Sequence, residues 1–428
     1  MYLALILLLL SLPHCQSENW AVIVSGGKGF YNYALQSNAY HSYKVLRSHG
    51  IPEDRIITIM VDDLVDNIDN PFPGMVFNEP NGEDVYSGVK FDYRAEAVTP
   101  VNFHAVLRGD RSRTKGGSGR VLESTENDNV FIYFVDHGDL GVICFPDDVV
   151  TAKQLNDTLS VMNAKRMFKK LVIYVDCCYS GSMFDGILPD NMNVYAMTAA
   201  SASELAFFTF CDLPVIEVCL ATVFSHSWID NSEAMNASVE TLADQFEAVG
   251  KLVTSANVSN YGDLSIKNEL VAEFQGKHKS RIDDSKENVG QYAHYTKDAL
   301  PLRYLESKLR RATSPEARDK LTKSLQLLKA KRFYHDSHTR SLIANITNNH
   351  HLISSIINEI PLKIGNLDCH DNVVIAYHRL CFNLGKNPYA QNAVRALTNL
   401  CEREYSTNQI LAAIHVHCAF GPKFDDIH

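Results

Sequence analysis

The sequence predicts an α/β protein: an open, mainly parallel sheet with helices on both faces, followed by an all-α C-terminal segment. Three observations carry this. Five apolar runs of strand length alternate with helix-like stretches in the first 200 residues. Alternation of this kind builds parallel sheets covered on both sides, whose strands read as continuous apolar runs. Beyond about residue 300 the strand-like runs stop and helical periodicity takes over.

The expected strands are Trp20–Ser25, Arg55–Val61, Asn129–Val135, Leu171–Val175 and Asn193–Met197. Between them, Asn38–His49 and Thr151–Met162 read as helices, the second opened by a Thr151/Gln154 capping-box pattern. Asp62–Gly88 is rich in Asp, Asn, Pro and Gly and reads as a long loop. A further helix is expected from about Ser238 to Val253. Periodicity fades over residues 276–300, which we read as a linker between a catalytic-type domain, 18–275, and a helical domain, 301–428. Ser314-Pro315 supplies a cap residue and a first-turn proline, and helical patterns follow near 339–349, 371–383, 388–402 and 406–414.

The first residues bear on compartment. Leu3 to Leu12 is apolar, too short for a membrane span, and Cys15-Gln-Ser17 offers small residues before a cleavage point, so 1–17 reads as a removable signal peptide. No later stretch approaches the roughly 18 apolar residues a span needs. Ten cysteines then suit an oxidising route, and sequons at Asn156, Asn236, Asn257 and Asn345 fit secretion. Cysteines 369, 381, 401 and 418 lack the paired spacing of a zinc site, so two disulfides are expected, with three possible connectivities. Each contributes roughly 2–4 kcal/mol. No metal, cofactor, nucleic acid or membrane partner is expected.

The net charge of −10 hides a split. Residues 300–428 hold 17 Lys/Arg against 11 Asp/Glu, hence +6, and nine of the seventeen histidines. The remainder holds 23 against 39, hence −16. An acidic body and a basic, His-rich tail attract each other if they touch, and are otherwise two separately solvated surfaces.

Two strands end on reactive side chains: Phe131-Ile-Tyr-Phe-Val-Asp-His137-Gly138 and Leu171-Val-Ile-Tyr-Val-Asp-Cys-Cys178-Tyr-Ser-Gly-Ser182. Open parallel sheets put their chemistry at the carboxyl ends of strands, so a thiol and an imidazole far apart in sequence can meet there. A thiolate is the nucleophile, and an imidazolium or a helix N-terminus lowers its pKa. His137 can then protonate a leaving amine, and the N–H groups of Gly138 and Cys178 are candidate oxyanion donors. Cys177 points the other way and reads as a core thiol. The pattern implies a cysteine hydrolase.

The chain resembles the legumain, or asparaginyl endopeptidase, family, which shares the caspase-like fold. The likeness rests on Trp20-Ala-Val-Ile-Val, Tyr31-Asn-Tyr33, Asn70-Pro-Phe-Pro-Gly74, Asn81-Gly-Glu-Asp-Val-Tyr86, Val98-Thr-Pro, Val106-Leu-Arg-Gly-Asp110, the two strand ends, Tyr195-Ala-Met-Thr-Ala-Ala200, Phe274-Gln-Gly276 and the four tail cysteines. It implies that Cys178 is the nucleophile, His137 the acid/base and Asn32 the residue that orients it. It implies disulfides Cys369–Cys401 and Cys381–Cys418. It further implies a prodomain that covers the site of a zymogen at neutral pH, substrates that are proteins or peptides, and an acidic lysosome- or vacuole-like compartment or secretion. Cys211 and Cys219 either pair beside the cleft or are two loop thiols.

The chain departs from the family where the P1 residue is bound. The family's Arg-His after Tyr31-Asn-Tyr33 is Ala34-Leu35, its pocket serine is Ala206, and its aspartate before Ser-x-x-Trp228 is Thr222. Asp176 keeps the acidic position two before the nucleophile. A site built for hydrogen bonds discriminates strongly and an apolar one does not, so an altered P1 preference is expected. Lys308-Leu-Arg-Arg-Ala-Thr313-Ser has no asparagine for self-cleavage; Arg310-Arg311 invites another protease, and Asn288 is the alternative. A catalytically silent relative acting as a binding protein is the competing reading. The related lipid-anchor transamidase is disfavoured by the lack of a second apolar span. Arg108-Gly-Asp110 is either an integrin-type tripeptide or a plain turn.

Overall fold

The computed structural model describes residues 18–277, 289–347, 349–419 and 427. The leader over 1–17 and Asn288 lie outside the described residues.

The body opens with β1 (Asn19–Ser25), α1 (Tyr33–Ser48), β2 (Ile56–Met60), α2 (Pro100–Leu107) and β3 (Asn129–Val135). Short strands β4 (Gly138–Asp139), β5 (Val142–Phe145) and β6 (Asp148–Thr151) lead into α3 (Ala152–Ala164), β7 (Lys170–Asp176) and β8 (Val194–Thr198). Two-residue strands β9 (Phe208–Thr209) and β10 (Ala221–Thr222), then α4 (Val223–Ala234), α5 (Leu242–Leu252), β11 (Ser259–Gly262) and α6 (Ala272–Gln275) complete it.

The main sheet runs β11-β8-β7-β3-β1-β2, parallel except for β11. Its strands are buried on both faces. Ala21 and Ile23 of β1 enter one core with Tyr40, Trp228 and Val249, while Val22 and Val24 enter the other with Phe103 and Leu155. Each expected strand is present within two residues at either end. The Thr151 capping box forms as its pattern predicts, and fixes the start of α3.

Register decides where the chemistry emerges. Ser25 pairs with Val135, and Val135 with Asp176, so β1, β3 and β7 end level. The chain leaves β1 outward to β2 and then crosses back to β3, so strand order reverses between β1 and β3. The crevice outside such a reversal is the usual ligand site of an open α/β sheet.

The tail consists of α7 (Leu300–Arg311), α8 (Pro315–Thr347), α9 (His350–Asn358), α10 (Leu367–Leu380), α11 (Asn392–Glu402) and α12 (Thr407–Cys418). Ser314 caps α8 through the N–H of Ala317. With no Gly or Pro after Pro315, α8 runs unbroken through the pattern read separately at 339–349. Disulfides join Cys369 to Cys401 and Cys381 to Cys418, and a third joins Cys211 to Cys219. The tail's apolar residues, Leu342, Val373, Leu397 and Ile414 among them, form one core with Leu140, Val142, Cys144, Val149, Cys178 and Tyr179 of the body.

Opposite charges do meet across this contact. Lys308 pairs with Asp69 at 2.6 Å and Arg311 with Glu217 at 3.1 Å, and the His378 ring lies 3.2 Å from the Asp148 carboxylate. Asp371 of α10 accepts from Thr151 (2.5 Å) and Gln154 (3.1 Å), so the tail docks on the α3 cap itself. No helix of the described residues is long and apolar enough to cross a membrane.

Candidate active site

Three strand ends supply the site. The glycine-rich turn after β1 carries the chain to Asn32, β3 ends at Asp136-His137, and β7 ends at Cys177-Cys178. The side chain of Asn32 occupies the N-cap position of α1 but makes no cap bond. An Asn there usually caps. Instead its Oδ1 meets His137 Nε2 at 2.8 Å, and its Nδ2 donates to the Lys28 carbonyl at 2.8 Å. A cap is forgone so that the imidazole is held.

His137 is anchored from behind as well. Its N–H donates to Asp136 Oδ1 at 2.6 Å. Burial pushes the Asp136 carboxyl well above the ordinary range, against the pull of the His137 N–H. Gly26 is obligatory beside it, because a Cβ there would come within 2.1 Å of Asp136 Oδ2. Gly138 is equally constrained: a Cβ would fall 2.7 Å from Cys177 Sγ and 2.8 Å from the Val142 carbonyl. Cys177 is indeed a core thiol.

Cys178 and His137 line one small cavity of about 10 Å³, with Leu35, Asp136, Asp176, Cys177, Ala206, Phe207, Phe208 and Thr222. Cys178 Sγ lies 3.7 Å from the Ala206 carbonyl. After it, Tyr179 takes the left-handed conformation (φ 56°), an uncommon place for a bulky side chain and one that active sites favour. A short 3-10 turn, Ser180–Met183, follows.

The expected lowering of the thiol pKa is not found in this tail-covered form. Burial pushes Cys178 up to about 11, and the nearby Lys297 ammonium only partly offsets it. The physical reason is the tail: it excludes water, and desolvation disfavours the thiolate.

The cavity gathers four of the five positions singled out for P1 binding. Leu35, Asp176, Ala206 and Thr222 line it; Ala34 does not, and lies in the core beside the sheet. Asp176 accepts from Thr222 Oγ1 at 2.5 Å and from Ser225. Burial raises its pKa to about 6, against the pull of those hydroxyls. Asn38 donates to Thr222 at 2.7 Å, which fixes that hydroxyl toward the carboxylate.

Two further residues escaped sequence reasoning. Lys297, in the expected linker, is 3% exposed, and its ammonium reaches the Gly138 carbonyl (2.9 Å), Asp139 Oδ2 (3.2 Å) and Gln391 Oε1 (2.6 Å). Asp139 is fully buried, and its Oδ1 accepts from the Leu140 N–H at 2.9 Å. A lysine in a Lys/Asp/Ser-rich stretch reads as solvated, and only the fold reveals its partners.

Among the other candidates, Asn257 and Asn345 are exposed and Asn236 is half-buried, whereas Asn156 keeps its Oδ1 enclosed on α3. Arg108 is tied to Thr158 at 2.8 Å, so Arg108-Gly-Asp110 is a turn with its arginine pinned. Among the described residues no group of three or more His, Cys, Asp or Glu could hold a metal ion.

A thiol and an asparagine-held imidazole at adjoining ends of a parallel sheet, under a helical cover, define a cysteine peptidase. A model of the peptidase C13 family matches residues 19–277, and one of the legumain prodomain matches residues 323–418. The chain belongs to the peptidase C13 family. Hemoglobinase of Schistosoma mansoni is 38% identical over 408 residues, covering 94% of this chain and 92% of its own. Legumain of Homo sapiens is 36% identical over 409 residues, 94% of each. Vacuolar-processing enzyme delta-isozyme of Arabidopsis thaliana is 33% identical over 425 residues, 94% and 91%. Caspase-1 from Spodoptera frugiperda aligns at a TM-score of 0.36 and 8% identity over 62% of this chain and 92% of its own, too low to carry an argument.

Proposed function

We propose that this legumain-family cysteine peptidase is a zymogen that cuts protein substrates through Cys178, with His137 as acid/base, and that its P1 preference is no longer asparagine. The observation that carries it is the Asn32–His137 bond at the wall of the cavity that also holds Cys178. In that geometry His137 takes the thiol proton as Cys178 attacks a substrate carbonyl. It returns the proton to the leaving amine, and water then hydrolyses the thioester. The N–H groups of Gly138 and Cys178 are the oxyanion donors of this reading.

The tail supports latency. It shares an apolar core with Cys178, and burial there raises the thiol's pKa to about 11. Its loss at acid pH, in a lysosome- or vacuole-like compartment or outside the cell, would readmit water and let His137 and the thiol form their ion pair.

The P1 argument rests on what lines the cavity. An amide needs donors and acceptors, and Leu35, Ala206, Phe207 and Phe208 offer only aliphatic and aromatic side chains. Asp176, the acidic position kept from the family, is already engaged by Thr222 and Ser225. A digest of a peptide library with the acid-treated full chain, beside its Cys178→Ala variant, tests both parts. Cleavage lost in Cys178→Ala with few cuts after asparagine is the expected result. Cuts mainly after asparagine overturn the P1 reading, and cuts that persist in Cys178→Ala overturn the nucleophile.

A further inference from the structure

The segment ahead of α7 touches the active-site wall at Tyr295 and then turns into the helix. Tyr295 exchanges both backbone hydrogen bonds with Phe208: Phe208 N–H to the Tyr295 carbonyl at 2.8 Å, and Tyr295 N–H to the Phe208 carbonyl at 3.1 Å. The pairing is an antiparallel bridge of one residue on the open side of the two-stranded β9–β10 ribbon. Addition of a strand to a sheet edge is a common way to hold a peptide. Here the edge is the one beside the cavity, since Phe207 and Phe208 line it and the Phe208 ring lies 6.2 Å from that of His137.

Two residues on, the Lys297 ammonium meets three oxygens. Two of them, the Gly138 carbonyl and Asp139 Oδ2, belong to the residues that directly follow His137. They are held in place without the lysine. Asp139 Oδ1 is fixed by the Leu140 N–H, and Gly138 is fixed by its pairing with Ile143 in the β4–β5 ladder. Only Gln391 comes from the tail, and it is steadied by the Leu384 carbonyl at 3.0 Å. Three oxygens converging on one nitrogen suit a compact ammonium with three donors better than a planar guanidinium.

We propose that Gly138 and Asp139 form a substrate subsite for a lysine side chain beside the scissile bond, and that Lys297 occupies it in the uncleaved chain as a resident stand-in. The proposal rests on the reading of Cys178 and His137 as a peptidase. Departure of the tail and the segment before it removes Lys297 and Gln391 and leaves the carboxylate and carbonyl to a substrate. The resident lysine has one more partner than an incoming one, which keeps the zymogen's own occupant in place until the tail moves.

The test uses acid-treated full chain and peptides that differ only in lysine, acetyl-lysine or norleucine, placed in turn at each position flanking the cut. One position should favour lysine over norleucine by tenfold or more in kcat/KM. Acetyl-lysine should behave as norleucine there, and Asp139→Asn should bring the ratio close to one. No such position, or a preference that survives Asp139→Asn, overturns the subsite. The acetyl-lysine comparison uses the unaltered protein, so it stands even if the variant does not fold. Peptide binding by the Cys178→Ala chain separates the two readings. Lysine-selective binding without turnover by the unaltered chain sinks the peptidase and keeps the subsite; turnover without lysine selectivity does the reverse.

Discussion

Lys297→Met isolates what the buried ammonium contributes to latency. In the covered form Lys297 and Asp139 are 3% and 0% exposed, and their pair links the segment before α7 to the residues after His137. Burial works against the charge on Lys297, but Asp139 more than offsets it and raises the ammonium's pKa. Methionine keeps much of the side chain's volume and leaves Asp139 as a buried carboxylate without its cation. Loss of one partner of a buried pair costs about 3–5 kcal/mol. At 1.4 kcal/mol per tenfold, the opened fraction rises roughly 100- to 4,000-fold.

The assay is the rate at which Cys178 is alkylated in the full chain at pH 7, read by peptide mass so that Cys144 and Cys177 are counted separately. If alkylation waits on opening, the rate reports the open fraction. Lys297→Met should speed it by at least a hundredfold. Lys297→Met with Asp139→Leu should recover most of that loss, since an apolar pair in place of a buried ion pair is often neutral or stabilising. Equal rates in the single and double variants would refute the reasoning, because the stranded carboxylate would then have cost nothing.

Two further outcomes are expected. Cys369→Ser with Cys401→Ser opens a loop of 32 residues' separation and should cost the tail about 3–4 kcal/mol, read as a lower guanidinium midpoint for tail unfolding. Acid release should divide by group. Burial lowers the pKa of His370, which its bond to the Leu140 carbonyl (2.9 Å) only partly offsets, so the docked tail prefers the neutral ring. That preference is fully present above the free-histidine value of about 6.5 and is lost as pH falls through the lowered docked value. Burial raises Asp69, but Lys308 and Tyr304 outweigh it and hold its pKa below the usual value, so its contribution is lost only below about pH 4. His370→Gln should therefore move the pH midpoint of Cys178 alkylation downward, and an unmoved midpoint would remove His370 from the switch.

The parts of the site that lie on strands were legible in the sequence. His137 and Cys178 close apolar runs whose register is fixed by burial on both faces, and a run of that kind can end in few places. The capping box at Thr151 was legible for the same reason: its signal is local. Lys297 was not. Its partners lie 94, 158 and 159 residues away, and its neighbours in sequence are polar. The raised pKa of Cys178 in the covered form was not legible either, because the core that buries it gathers residues from both the body and the tail. Ala34 and Leu35 were singled out together by the resemblance; both enter the same core, and Leu35 also lines the small cavity.

The core that the tail shares with Leu140, Val142, Cys144, Val149 and Tyr179 has a further consequence. On the proposed release of the tail, these interior residues would become outer surface beside Cys178. A contiguous apolar strip in water is adhesive. Removal of the tail would thus leave an apolar strip along one wall of the cleft, a surface that the covered form keeps dry.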